Sequence, residues 1–194
     1  MQATRTLALI AIFTSLILAS DYVLSPVFNV KLLDTLVFVS AYVFGYRVGA
    51  SIAILSEFIW GTVNPNGFGG LIIPFLIAGE LIYVLAGYVA SRVWRIDEMS
   101  ALSARNLFLG ATLAICSFLW DLETNLATGL LEGARTFVQY IPFLIAGIPF
   151  AIPHELSDFA FGALLAPIAI VYLRRYSYKL EGTQRIVLKA TPQK

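Results

Sequence analysis

The sequence is poor in charge and in the residue types that build most catalytic and crosslinked sites. Only 13% of its 194 residues are charged, and it has one cysteine and one histidine. A lone cysteine excludes an intrachain disulfide and a thiolate metal site. No Walker A phosphate loop, HExxH pair or GxSxG elbow occurs. The sequence therefore carries no P-loop for hydrolysing ATP and gives no support to intramembrane hydrolysis.

Apolar residues are what the sequence has in abundance. They make up 59% of the chain, and the mean hydropathy is +0.82, which is outside the range of ordinary soluble domains. Apolar runs follow one another from the N-terminus, and no cleavage site followed by a soluble domain is evident. The composition predicts an all-α integral membrane protein.

The apolar runs predict six transmembrane helices, at residues 5–24, 32–46, 48–61, 71–90, 107–130 and 151–173. The second and third are too long together for one crossing and divide at 45–49. Polar residues at 120–125 predict an interruption of the fifth. Residues 132–150 are apolar but contain Pro142 and Pro149, so they form either a seventh span or an interfacial or re-entrant lid.

Basic residues favour the six-span alternative. With a cytoplasmic N-terminus and six spans, most lysines and arginines fall inside, and only Lys31 and Arg135 fall outside. A seventh span would move Arg174 and Arg175 outward, against the positive-inside rule. We expect residues 1–180 to form one bundle of six transmembrane helices in the cell membrane, with both termini cytoplasmic and a polar tail at 181–194.

Acidic residues inside the predicted spans mark a candidate site. At about 1.5 Å of rise per residue, four helices place acids between the midplane and the outer surface. Intramembrane carboxylates usually face a bundle interior or a watery cavity, and neighbouring aromatic rings can stack on a flat or cationic ligand. The predicted substrate-binding residues are Glu57, Glu80, Tyr83, Trp120, Asp121, Glu123, Asn125, His154, Glu155 and Asp158.

Simpler interpretations exist for several of these residues. His154, Glu155 and Asp158 follow Pro153, so they could belong to a solvated helix start whose acids complement the helix dipole. Glu57 and Glu80 could each bond to a neighbouring helix. Because four helices place acids at a similar depth in the membrane, a shared binding site is favoured. Asp158 is the deepest acid of its helix.

Three stretches carry a resemblance to a known family. They are NVKLLDTLVF at 29–38, VFGYRVGASIA at 43–53 across the predicted turn, and GALLAP at 162–167 in the last span. In the order of these features, most of residues 5–175 resembles the S component of energy-coupling factor (ECF) transporters. That family comprises membrane subunits that bind vitamins and some metal ions.

The resemblance implies a mechanism and partners. An S component binds its small-molecule substrate from outside and docks on a T component with two ATPase subunits, through small residues on its first helix. Ala11, Ser15 and Ala19 are the matching positions. We expect contact with membrane lipid, no nucleic acid, no cofactor and no assigned metal ligands.

The acids favour a cation or an amine-bearing compound as substrate. A thiamine-like compound fits, and so does a divalent metal ion if three or more oxygens converge. The expected function is therefore the substrate-binding subunit of an ECF-type uptake transporter, without enzymatic activity. Two alternatives stay open: an integral membrane enzyme using the carboxylates and His154 with a metal, and a small structural subunit whose acids pair with basic residues of a partner.

Overall fold

A computed structural model describes residues 2–65, 67–94, 96 and 103–190, with side chains described for residues 3–175 of these ranges. No strand occurs in the described ranges, so the all-α prediction is confirmed. A short 3₁₀ turn, Gly70–Ile72, precedes the fourth helix. The helices are α1 (Gln2–Leu24), α2 (Leu33–Phe44), α3 (Tyr46–Val63), α4 (Ile73–Val93), α5 (Ala104–Leu131) and α6 (Phe137–Ala190).

Four of the described helices, α1, α4, α5 and α6, are long and apolar enough to cross a membrane. Helix α2 is apolar but has only 12 residues, which is about 18 Å at 1.5 Å per residue. Many large apolar side chains on the long helices are exposed, as lipid-facing residues would be. These lengths and compositions indicate a multi-pass membrane protein.

A single residue, Gly45, separates α2 from α3. Its φ of 88° lies in the left-handed region, which glycine adopts without the steric cost that a Cβ would add. Its N–H donates to the carbonyl of Ala41 and closes α2. The break predicted at 45–49 is therefore one residue wide, and α3 begins immediately at Tyr46.

Helix α2 is the centre of the bundle. It packs against α1, α3, α4 and α6, and nine of its 12 residues are buried, which is why it is apolar on nearly every face. Phe38 of α2, Ile52 of α3, Val84 of α4 and Leu113 of α5 belong to one continuous apolar core. Any polar residue on α2 is consequently held inside the bundle.

Helices α5 and α6 form a close antiparallel hairpin. A Cβ placed on Gly110 would lie 2.6 Å from the carbonyl oxygen of Phe159, and one placed on Gly162 would lie 2.9 Å from the Cα of Gly110. Small residues at such a crossing let two backbones approach and pack tightly. The hairpin fixes the relative positions of the polar side chains that α5 and α6 carry.

The structure corrects two predictions about this hairpin. Helix α5 continues through 120–125 without interruption, because the side chains of Asp121 and Thr124 are buried inside the bundle. The last helix begins at Phe137 rather than at 151. Residues 137–150 are therefore neither a seventh span nor a separate lid: they are the first turns of α6. Neighbouring helices allow internal prolines in such a helix.

The two ends of the chain differ from their predicted boundaries in smaller ways. Helix α1 begins at Gln2 rather than at residue 5, and in its last turns Asp21 Oδ1 accepts the N–H of Leu32 at 3.0 Å. The backbone of residues 181–190, expected to begin the polar tail, continues α6. Residues 191–194 of the predicted tail lie outside the described residues.

The close crossing of α5 and α6 predicts that Gly110→Leu destabilises the protein. The larger side chain would collide with the backbone of Phe159, and overpacking of this kind costs about 1–3 kcal/mol or more. Thermal and denaturant unfolding in detergent would measure the loss. Leu164→Ala, at an exposed position of α6, is the control. Equal stability of Gly110→Leu and the parent protein would contradict this packing.

Candidate functional site

Buried carboxyl groups from all six helices lie in the interior of the bundle. Each has an exposed fraction of 7% or less. Lys31 and His154 interact electrostatically with members of this set. We call the following residues the acid cluster: Asp21 (α1), Asp34 (α2), Glu57 (α3), Glu80 (α4), Asp121 (α5) and Asp158 (α6).

His154 joins three helices within the acid cluster. It is fully buried, with Nδ1 3.1 Å from Asp121 Oδ2 and Nε2 3.3 Å from Asp34 Oδ2. Asp158 Oδ2 lies 4.0 Å from the same Nε2. The edge of the ring also packs against Trp120, with centroids 5.4 Å apart. Both ring nitrogens therefore face carboxylates, and the ring is held in one orientation.

Asp158 is held by two hydroxyl groups. Tyr83 donates from its hydroxyl to Asp158 Oδ2 at 2.8 Å, and Ser117 donates to the same oxygen. The two hydroxyls are 3.0 Å apart, and all three side chains are buried. One carboxylate oxygen is thus fixed by α4 and α5, while Asp158 Oδ1 has no hydrogen-bond partner among the described residues.

Glu57 and Glu80 are buried without hydrogen-bond donors. Both are 1% exposed, and none of their carboxyl oxygens has a hydrogen-bond partner in the described part of the chain. Glu80 lies beside the carboxyl group of Asp34. Burying a carboxyl group without a donor is costly, and such a group in a folded protein calls for an explanation such as a bound ligand or ion.

Lys31 is a cation held close to the acid cluster by the loop at 25–32. Its Nζ lies 4.8 Å from the centroid of the Trp120 ring, within cation–π range. Desolvation would lower the pKa of the Lys31 ammonium, but the carboxyl groups of Glu57, Asp34 and Asp21 outweigh that effect and raise the pKa above its usual value. Lys31 therefore stays charged and partly neutralises the acids.

A cavity of about 210 Å³ reaches the cluster from one end of the bundle, between the loops at 25–32 and 64–69. Its lining includes Asp21, Lys31 and Glu57, together with the indole of Trp60. Tyr22 packs edge-on against that indole, with centroids 5.3 Å apart. The cavity therefore combines two acids, one cation and one fixed aromatic ring.

Seven of the ten predicted substrate-binding residues lie in or against the buried part of the acid cluster. Asn125 and Glu155 lie at its edge, in a groove that Asp121 also lines, and Glu123 lies apart. Glu123 lines a groove with Phe75 and Tyr140. Asn125 packs against Gly147 across the hairpin, and Glu155 is half-buried in a groove between α5 and α6. The residues brought together are Glu57, Glu80, Tyr83, Trp120, Asp121, His154 and Asp158.

Sequence reasoning did not select Asp21, Lys31, Asp34 or Ser117 for the site. Asp34 could have been found, because it is an acid inside the predicted apolar span at 32–46, and a position inside an apolar span is the criterion that selected Glu57 and Glu80. Lys31 was considered only as one of the two basic residues on the outer side of the membrane. No sequence signal distinguishes Ser117 from the other serines of the spans, since its role depends on the packing of α5 against α6.

The small residues of α1 lie on its outer surface. Ala11, Ser15 and Ala19 are all exposed, whereas Phe13, Thr14 and Ile17 of the same helix are buried. The three small side chains thus form a shallow face that no other described element covers. Their contact with a partner stays a prediction.

The geometry at Asp158 predicts that Tyr83→Phe destabilises the protein. Loss of one of two hydroxyl donors to a buried carboxyl group costs about 1–3 kcal/mol. Denaturant unfolding in detergent would measure this change. Tyr88→Phe is a matched control on the same helix, since the Tyr88 hydroxyl accepts its hydrogen bond from Arg92 in an exposed position. Equal effects of the two substitutions would contradict the assigned hydrogen bond.

Neither models of protein families, nor curated proteins, nor solved structures give a match to this chain. The acid cluster and its cavity are therefore the basis on which a function can be assigned.

Proposed function

We propose that this protein is the substrate-binding subunit of an ECF-type uptake transporter and that it captures a small cationic compound from the extracellular side. The observation that carries the proposal is the carboxyl group of Glu57. It is 1% exposed, has no hydrogen-bond donor among the described residues, and lines the cavity of about 210 Å³. A buried anion facing a cavity favours a ligand that brings positive charge.

The charge distribution supports an outward-facing cavity. The cavity lies at the C-terminal end of α3, whereas the turn at Gly45 and Arg47 lies at the opposite end. At that opposite end Arg174 packs over the ring of Tyr42. The positive-inside rule makes the arginine-bearing end cytoplasmic. Six spans with both termini in the cytoplasm, in the cell membrane, accord with this orientation.

The cavity lining supports a compact ligand with an amine or a cationic ring. Glu57 and Asp21 supply negative charge, and the indole of Trp60 supplies a face for a cation. Asn29 and Asn64 add amide groups at the rim. An anionic vitamin would meet unfavourable charge, so the preferred class is an organic cation such as thiamine or a polyamine.

The proposed partners are a T component and two ATPase subunits. The sequence contains no P-loop, so energy for uptake would come from another chain or from an ion gradient. The exposed small face of Ala11, Ser15 and Ala19 on α1 suits the close approach of another helix. These features support a role as the binding subunit of a larger transporter.

The proposal predicts saturable binding of an organic cation that depends on Glu57. In calorimetry on the purified protein in nanodiscs, thiamine, choline and putrescine are the probes. We expect one of them to bind, and Glu57→Gln to weaken that binding at least about 10-fold, equivalent to roughly 1.4 kcal/mol. Removal of the buried negative charge is the physical reason.

Glu132→Gln is the matched control, because Glu132 is exposed in the connection between α5 and α6. It should bind the same probe with unchanged affinity. The proposed function would be refuted if none of the organic cations bound at any concentration up to the millimolar range, or if Glu57→Gln and Glu132→Gln bound equally well.

A second prediction concerns Lys31, the cation built into the cavity wall. Lys31→Gln removes a positive charge that repels a cationic ligand, so the affinity for the bound probe should rise by about 10-fold. Arg135→Gln, at an exposed outer position, is the control and should not change it. Weaker binding by Lys31→Gln would show instead that Lys31 contacts the ligand directly.

A further inference from the structure

We propose that Asp34, His154 and Asp158 form a binding site for a divalent first-row transition-metal ion. This site goes beyond the function proposed above, since none of its three residues lines the cavity around Glu57. It joins the central helix α2 to α6. It is also fully enclosed, because none of the three side chains is more than 1% exposed.

The ligand atoms are close enough to share one ion. One atom from each of the three residues lies within 4.8 Å of the other two, and Nε2 of His154 is 3.3 Å from Asp34 Oδ2 and 4.0 Å from Asp158 Oδ2. Ligand bonds of about 2.0–2.2 Å at tetrahedral angles place neighbouring ligand atoms roughly 3.4 Å apart. The His154–Asp34 pair already has that spacing, and Asp158 needs to approach by less than an ångström.

The second nitrogen of His154 has the partner that metal-bound histidines usually have. Nδ1 faces Asp121 Oδ2 at 3.1 Å. A carboxylate that accepts the proton on one nitrogen fixes the tautomer and leaves the lone pair of the other nitrogen for the metal. That other nitrogen, Nε2, is the one that faces Asp34 and Asp158. Asp121 is thus a positioning residue.

Unsatisfied oxygens supply the independent indication of a missing ligand. Asp34 Oδ1, Asp158 Oδ1 and both oxygens of Glu80 are buried and have no hydrogen-bond partner among the described residues. Glu80, which is 1% exposed, interacts electrostatically with Asp34.

The charge of the acid cluster and its donor types indicate the class of ion. Among the described residues, six carboxyl groups interact with two basic side chains, Lys31 and His154, so the cluster offers more carboxyl oxygens than resident cations and has ligands to spare for a divalent ion. Carboxylates alone would suit Mg²⁺ or Ca²⁺, but an imidazole nitrogen beside carboxylates favours Mn²⁺, Fe²⁺, Co²⁺ or Zn²⁺.

A competing arrangement without metal is a protonated His154 that donates to Asp34 and Asp121 together. It accounts for the two short contacts of the ring. It does not account for the unpartnered carboxyl group of Glu80. The two arrangements predict opposite results in a metal titration.

Co²⁺ alone is the probe, added to the purified full chain after removal of metals with a chelator. We expect saturation at one Co²⁺ per chain, with visible d–d bands typical of nitrogen and oxygen ligands. Asp158→Asn, which is isosteric, should weaken binding at least about 10-fold and change the bands. Asp121→Asn should weaken binding by about 10–100-fold while the bands keep their positions, because no ligand is lost.

Glu132→Gln is the control, because Glu132 is exposed in the connection between α5 and α6. It should bind Co²⁺ like the parent protein. Absence of stoichiometric binding, or equal affinity in Asp158→Asn and Glu132→Gln, would overturn the metal site. Such a result would leave the binding of organic cations at Glu57 intact, whereas failure of those cations to bind would leave the Co²⁺ result intact.

Discussion

The cost of burying carboxyl groups among apolar helices is the constraint on which this structure depends. Such groups are tolerated only when opposite charges or hydrogen-bond donors surround them. The chain places its only histidine between Asp34 and Asp121, and two hydroxyls against Asp158. Hydrogen-bond donors and opposite charge therefore offset the burial of the carboxyl groups well on the α6 side of the acid cluster. They do so incompletely at Glu57 and Glu80.

This uneven compensation gives the interior two regions with different chemistry. Around His154 the groups are enclosed and held by hydrogen bonds to one another, an environment that suits an ion with fixed coordination. Around Glu57 a cavity borders two loops, an environment that suits exchange of a ligand with the outside. Lys31 interacts electrostatically with acids of both regions, so it can couple the occupancy of one to that of the other.

The packing of the helices explains why these regions lie side by side. Central α2 brings Asp34 into the middle of the bundle, and the glycine crossing of α5 and α6 sets the distance between Asp121 and His154. The bond from Leu32 to Asp21 holds the loop that carries Lys31. The tight backbone contacts thus fix the relative positions of the acidic side chains. A shift of any one helix would move its acid relative to all the others.

Composition and apolar periodicity by themselves determined that the chain is helical, that it is rich in helices able to cross a membrane, and that Glu57, Glu80, Asp121 and Asp158 are acids in apolar surroundings. These properties are local, and a short window of sequence contains them. Only the tertiary structure decided that residues 137–150 belong to α6, that Glu123 lies apart from the acid cluster, and that Asp34 and Lys31 join it. The side toward which a carboxylate points depends on which helices pack against its own, and those contacts join residues far apart in the sequence.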